Sequence, residues 1–301
     1  MARRLLSLPL LLAACTPVQS ATEDTPPPVQ PNNATFGTDA NLAASKPDAI
    51  LRYADHPRGF AELRLPEGKG PFPLAVIYHG GCWTTGIASQ AYMAPLATRW
   101  QQQGIATLNV DYREVGDGGG WPGSFSDWAA STKLIEEVAA KHAIDRERVT
   151  LVGHSAGALP ALWLPRLQGA GGPTGERAAL KARAAIILDG PGDVGAERSA
   201  FDRLCQFSAV DPFMGGAPDT LPERYAAIAP ATQAPQLAEV LFVQAKLPAP
   251  SAATLAALGH EGARVTVREN AGASHFAIIT PGNAAYSANE AAMLAVIRGG
   301  N

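Results

Sequence analysis

Short apolar runs rich in β-branched residues recur along the chain at 60–65, 74–79, 105–111, 148–153, 184–189, 239–244 and 263–268. Between most of them the pattern turns helical, over 89–103, 126–142, 156–168, 251–259 and 284–298. Strands that are apolar on both faces and alternate with helices are what a parallel sheet covered on both sides requires. The pattern predicts a doubly wound, mostly parallel α/β sheet in a single domain spanning 48–301. Such sheets meet their ligands at the carboxyl ends of the strands, so the residues just after each run are where chemistry is expected. The stretch 190–238 is longer than one crossover needs and carries several prolines, so it reads as an irregular insert with short helices.

The first fifteen residues depart from this pattern. Arg3 and Arg4 precede an apolar run from Leu5 to Ala14 that ends at Cys15. The run is far short of the roughly 20 residues that cross a bilayer, and its charge layout is that of an export signal. Leu12-Ala13-Ala14-Cys15 resembles the lipobox of bacterial lipoproteins, which implies lipidation of Cys15 and an anchor in the cell envelope, with the outer membrane favoured by Thr16. Residues 16–47, rich in Pro, Thr, Asn and Gln, then read as a flexible tether. Export leaves Cys82 and Cys205 as a pair in an oxidising compartment, where a disulfide between them is expected.

Composition narrows the function further. With 24 basic and 27 acidic residues and a formal net charge of -3, the chain carries no basic footprint for nucleic acid. The cysteine spacing fits no metal site. No cofactor or metal is expected.

The strand ends supply a candidate mechanism. Gly153-His154-Ser155-Ala156-Gly157 follows the run 148–153 and opens a helical stretch. This G-x-S-x-G turn, with a strand before it and a helix after it, marks Ser155 as a nucleophile. A serine needs a base, and His275, in the small-residue loop Gly272-Ala273-Ser274-His275-Phe276 after the last strand, is the best placed of the six histidines. His56, His142, His154 and His260 read as structural. Tyr78-His79-Gly80-Gly81-Cys82-Trp83 follows the run 74–79. There the N–H groups of Gly81 and Cys82, with that of Ala156, would stabilise an oxyanion, and His79 would hold the loop.

HGGCW, the DYR at 111–113, WPGSFSDW at 121–128, GHSAG and GASHF, in this order, resemble the α/β-hydrolase superfamily near the hormone-sensitive-lipase-like esterases and kynurenine formamidases. The resemblance covers about residues 50–298. It implies a serine hydrolase of carboxylic esters or of small amides such as N-formyl anilides. It also implies that Asp111, Tyr112, Arg113 and Asp127 organise a strand end rather than take part in catalysis. Gly116 to Gly120, with Asp117, lacks the residues of a phosphate loop and reads as a flexible loop beside the site. Trp83, Trp121, Phe125 and Phe276 are candidates for a pocket lining.

One departure stands out. Relatives carry the triad acid after the penultimate strand, yet no Asp or Glu lies between Glu239 and Glu261 here. Asp189, closing the run 184–189 beside the nucleophile strand, occupies a position usually small and uncharged in those relatives, and is the expected replacement. Asp193 is the alternative acid. Glu269 is too near His275 in sequence to fold back onto it. A serine carboxylesterase is the leading reading. An amidase or arylformamidase, and a binding lipoprotein that has lost its acid, are the alternatives.

Overall fold

A computed structural model describes residues 42–167, 171–172, 175–179 and 181–300. The signal segment, Cys15 and most of the tether lie outside the described residues. Ser45 contacts the domain: its N–H and hydroxyl bond Thr98 and Gln101, and its carbonyl accepts from Arg64. The last residues assigned to the tether are therefore held against the fold.

Among the described residues, eight strands form one sheet: β1 Ala49–Arg52, β2 Phe60–Arg64, β3 Phe72–Tyr78, β4 Ala106–Val110, β5 Ile144–His154, β6 Ala184–Leu188, β7 Glu239–Gln244 and β8 Arg264–Glu269. Their order is β1-β2-β4-β3-β5-β6-β7-β8. The pairs β1/β2 and β2/β4 are antiparallel and every other pair is parallel. β1 is an addition to the expected elements; its half-exposed pattern at the sheet edge leaves no apolar run to read.

Along β3 the side chains alternate between two cores, because successive strand residues point to opposite faces. Leu74, Val76 and Tyr78 join Phe125, Trp128 and Trp163 on one face. Ala75 and Ile77 join Trp100, Tyr286 and Ile297 on the other. Helices Gly123–Ser131, Lys133–Lys141 and Ala158–Trp163 cover the first face, and Ala94–Gln102 and Ala284–Arg298 cover the second.

Three expected helices are interrupted. The stretch 126–142 breaks at Thr132, whose hydroxyl turns back to Ala129 O and also accepts the N–H of Ala179. The stretches 89–103 and 156–168 each contain a 3-10 segment, Gln90–Met93 shortly before Pro95 and Leu164–Leu167 around Pro165. Proline lacks the N–H an α-helical turn needs. The insert 190–238 holds helices Arg198–Cys205, Val210–Met214 and Pro222–Ile228, which bury Phe201, Phe213 and Met214 against the first core.

Candidate active site

Ser155 stands between the end of β5 and the 3-10 turn Ser155–Gly157 that leads into helix Ala158–Trp163. Its φ is +55°, a left-handed conformation that a non-glycine residue holds only when its surroundings enforce it. The flanking glycines supply that enforcement through close packing. A Cβ on Gly153 would meet Gly157 O at 2.0 Å, and one on Gly157 would meet Tyr78 O at 2.1 Å. Two neighbouring turns press on the same point: a Cβ on Gly80 would lie 2.8 Å from Ser155 Cβ, and one on Gly190 would lie 2.8 Å from Ser155 O.

Asp189 precedes Gly190 and is wholly buried, with φ +47°. Its Oδ2 lies 2.7 Å from His275 Nδ1. Its Oδ1 accepts the N–H groups of Ala245, Lys246 and Leu247 at 2.8, 2.9 and 2.9 Å. The loop after β7, where relatives carry the acid, thus wraps its backbone donors around a carboxylate from the neighbouring strand. Burial pushes the Asp189 carboxyl upward, but the His275 bond and the Ala245 and Lys246 donors outweigh it and hold the group below its ordinary value. An ionised Asp189 accepts the Nδ1–H of His275, so His275 Nε2 carries a lone pair and can take a proton.

Asp193 does not share this place. Its Oδ1 accepts the N–H groups of Gly195 and Ala196 and closes a turn. Glu269 ends β8. His142 caps helix Lys133–Lys141, His260 lies in the turn after helix Ala252–Leu258, and His56 Nε2 lies 3.1 Å from Asp127 Oδ1.

The loop after β3 is strained and fixed from several sides. Gly81, Cys82 and Trp83 have φ of +114°, +53° and +52°. Cys82 is joined by a disulfide to Cys205 at the end of helix Arg198–Cys205. Trp83 Nε1 donates to Ala156 O at 3.0 Å, and Trp83 O accepts the Val115 N–H at 2.8 Å. Among the described residues, no protein acceptor takes the N–H of Gly81, Cys82 or Ala156. These are donors that a developing oxyanion could use. His79 Nδ1 lies 2.6 Å from Gly80 O and Nε2 lies 3.0 Å from Asp111 Oδ1, so both ring nitrogens are engaged in holding the loop. Among the described residues, no group of three His, Cys, Asp or Glu side chains could hold a metal ion.

Sequence reading missed the charged support under this loop. Arg58 reaches Asp111 Oδ1 from Nε and Nη2 at 3.0 and 2.8 Å, and its Nη1 reaches Glu114 Oε2 at 2.6 Å and Asp117 Oδ2 at 3.1 Å. A lone arginine in a turn offers no periodic or motif signal, and Glu114 belongs to no pattern. Arg113 pairs with Asp127 at 2.7 Å, and Tyr112 donates to His79 O, so the DYR segment does organise the end of β4. The 116–120 loop is closed by Asp117 and by the bond from Gly120 N–H to Ser124 Oγ. Two of the expected pocket aromatics are corrected: Trp83 and Phe125 are wholly buried and stack on Phe213, packing the core behind Ser155. Trp121 and Phe276 are only partly buried.

Comparisons with known proteins bear on family and fold. The BD-FAE family model matches residues 62–242, more than half of the chain. A search of curated proteins finds no match. Among solved structures, esterase B of Lactobacillus Rhamnosis, inhibited by a C4-C4 SN3 tributyrin phosphonate, has TM-score 0.66 at 16% identity, covering 89% of this chain and 90% of its own. The propionate-bound esterase Est2 of Thermogutta terrifontis has TM-score 0.60 at 17% identity, covering 83% and 94%. A bifunctional GH43-CE protein of Bacteroides eggerthii has TM-score 0.64 at 18% identity, covering 84% of this chain. The chain spans 36% of that protein's length. At these identities the structures establish a shared α/β-hydrolase fold.

Proposed function

The chain belongs to the BD-FAE family, an α/β-hydrolase-type esterase family, and from that premise we propose that it cleaves small carboxylic esters through an acyl-serine. Ser155 Oγ attacks the ester carbonyl while His275 Nε2 takes its proton. The oxyanion draws hydrogen bonds from the N–H groups of Gly81, Cys82 and Ala156. The C–O bond to the leaving alcohol breaks, and His275 returns the proton to it. A water then repeats the sequence on the acyl-enzyme, releasing a carboxylic acid and free Ser155. Asp189 holds the Nδ1–H of His275 and favours the imidazolium that forms in both halves.

The observation that carries this reading is the Asp189 carboxylate 2.7 Å from His275 Nδ1, with no carboxylate in the usual loop. It supports the catalytic reading over a non-catalytic lipoprotein. The propionate bound to Est2 and the tributyrin phosphonate on esterase B support a short acyl group. Export and anchoring through Cys15 belong to the same proposal, and the Cys82–Cys205 disulfide supports an oxidising compartment.

A fluorophosphonate probe tests the mechanism. Wild type should label and hydrolyse p-nitrophenyl butyrate, and Ser155→Ala should do neither while keeping its far-ultraviolet circular dichroism. Hydrolysis retained by Ser155→Ala would overturn the serine mechanism. Cys15→Ser should release the protein from the envelope, and a soluble wild-type product would refute the anchor.

A further inference from the structure

His154 lies between Gly153 and Ser155 and is wholly buried, and the acyl-serine mechanism gives it nothing to do. Its Nε2 lies 3.1 Å from the backbone O of His275. A carbonyl can only accept, so this nitrogen carries the hydrogen. Burial, with the neighbouring His275, disfavours a second proton on the ring. Nδ1 is then bare, and the group facing it at 2.7 Å is Tyr92 Oη, which must donate. Tyr92 Oη in turn accepts the N–H of Gly80. The bonds run in one direction: Gly80 N–H to Tyr92, Tyr92 O–H to His154, and His154 Nε2–H to His275 O.

Each end of this relay is backbone of a loop that the mechanism needs. Gly80 leads into the oxyanion loop after β3, and His275 is the base. The middle residue directly precedes the nucleophile at the end of β5. The rings are packed as well as bonded: His154 and His275 have centroids 4.4 Å apart, and Phe276 sits edge-on to Tyr92 at 6.1 Å. Tyr92 itself stands on the 3-10 turn Gln90–Met93, whose start is closed by Ser89. A turn outside the sheet, bonded to the last residue of β5, thereby fixes the spacing between the oxyanion donors, the serine and the histidine.

We propose that Tyr92 and His154 are positioning residues, a hydrogen-bond relay that holds the oxyanion loop, the Ser155 turn and the His275 loop in one register. The proposal rests on the acyl-serine reading. Tyr92→Phe removes one hydroxyl and keeps the ring that packs on His154 and Phe276. Loss of register acts on the transition state more than on ground-state binding, so kcat for p-nitrophenyl butyrate should fall about 10- to 100-fold. KM should stay within about twofold, since the bound ester's ground state is little changed.

Three measurements test it, each made well below the variant's melting temperature so that unfolding adds nothing. The expected result for Tyr92→Phe is the kcat loss at unchanged KM. A kcat within about twofold of wild type overturns the relay. His154→Gln removes the ring while keeping a donor and an acceptor. Combined with Tyr92→Phe it should cost little more than the larger single loss, because both changes cut one chain. Losses that multiply as for independent sites overturn the relay even if each single variant is slow. Ser155→Ala is assayed alongside: if it still hydrolyses, the mechanism beneath the relay fails, whereas an inactive Ser155→Ala beside a fully active Tyr92→Phe refutes the relay alone.

Discussion

Asp189, directly after β6, and Glu114, shortly after β4, are both closed to solvent, yet their surroundings drive them in opposite directions. Asp189 receives three backbone N–H groups from Ala245 to Leu247 as well as the ring of His275. Among the described residues, Glu114 receives one donor, Arg58 Nη1, which it shares with Asp117, while its Oε1 is buried without a hydrogen-bond partner. Burial pushes Glu114 well above its ordinary value; Arg58 offsets part of this, and the nearby Asp111 and Asp117 add to it. The two sites show that burial alone does not fix a carboxyl's charge. The supply of donors decides it, because each fixed N–H replaces a hydrogen bond to water that the ionised form has lost.

The largest effect should come from breaking the well-supplied carboxylate. Asp189→Asn puts an amide where His275 Nδ1–H needs an acceptor and favours the wrong tautomer, so kcat should fall by about 10⁴-fold, as removal of a triad acid does elsewhere. Asn also tolerates the left-handed backbone at this position, so the fold should survive. Steady-state kinetics with p-nitrophenyl butyrate checks this. A loss under about tenfold would mean that the pair at 2.7 Å is structural rather than catalytic.

What was legible in the sequence follows the same division between periodic and solitary signals. The central strands were readable because each is apolar on both faces. β1 was not, since an edge strand with alternate exposed residues resembles a loop. Ser155 and His275 announced themselves through glycine-rich turns at strand ends. Asp189 could be singled out in the sequence only through the absence of an acid after β7. The cage around it was unreadable, because its donors are the backbone of Ala245, Lys246 and Leu247, and any residues but proline could provide them. Arg58, Glu114 and Tyr92 were missed for a related reason. Each acts through one long-range contact, and a single residue in a turn carries no pattern of its own.

The disulfide sharpens the comparison because it braces only one of the two regions. Cys82 adjoins Gly81, where an added Cβ would lie 3.2 Å from Glu114 Oε1, whereas neither cysteine bonds the Asp189 cage. Cys205→Ser should lower stability by about 2–4 kcal/mol, as loss of a long-range bridge commonly does. Urea unfolding with and without reductant measures it, and reductant should bring wild type to the variant's value. Fluorophosphonate labelling of Ser155 should slow but persist, because Asp189 and His275 keep their bond. Abolished labelling in a folded variant would mean that the bridge supports both regions.

The smallest effect, and the most direct test of the contrast, is expected from Glu114→Gln. A glutamine is neutral and similar in shape, so it keeps an oxygen for Arg58 and removes only the charge that burial disfavours. At pH 7 the variant should lie within about 1 kcal/mol of wild type or be more stable. The pH dependence carries the sign. Because Glu114 is raised in the fold, the folded chain binds more protons than the unfolded one above the ordinary value near 4.5, so wild type loses stability as pH rises from there. Glu114→Gln should lack that loss, and its stability relative to wild type should increase from about pH 5 to pH 8. Asp189 is lowered, so its contribution is present above its ordinary value near 3.8 and disappears as pH falls through the lower folded value. The destabilisation caused by Asp189→Asn should therefore shrink in acid, the reverse of the Glu114→Gln trend. Urea midpoints from about pH 2 to pH 8 cover both windows. If the two variants follow parallel pH trends, donor supply does not separate these carboxyls, and the charge states assigned to them here are wrong.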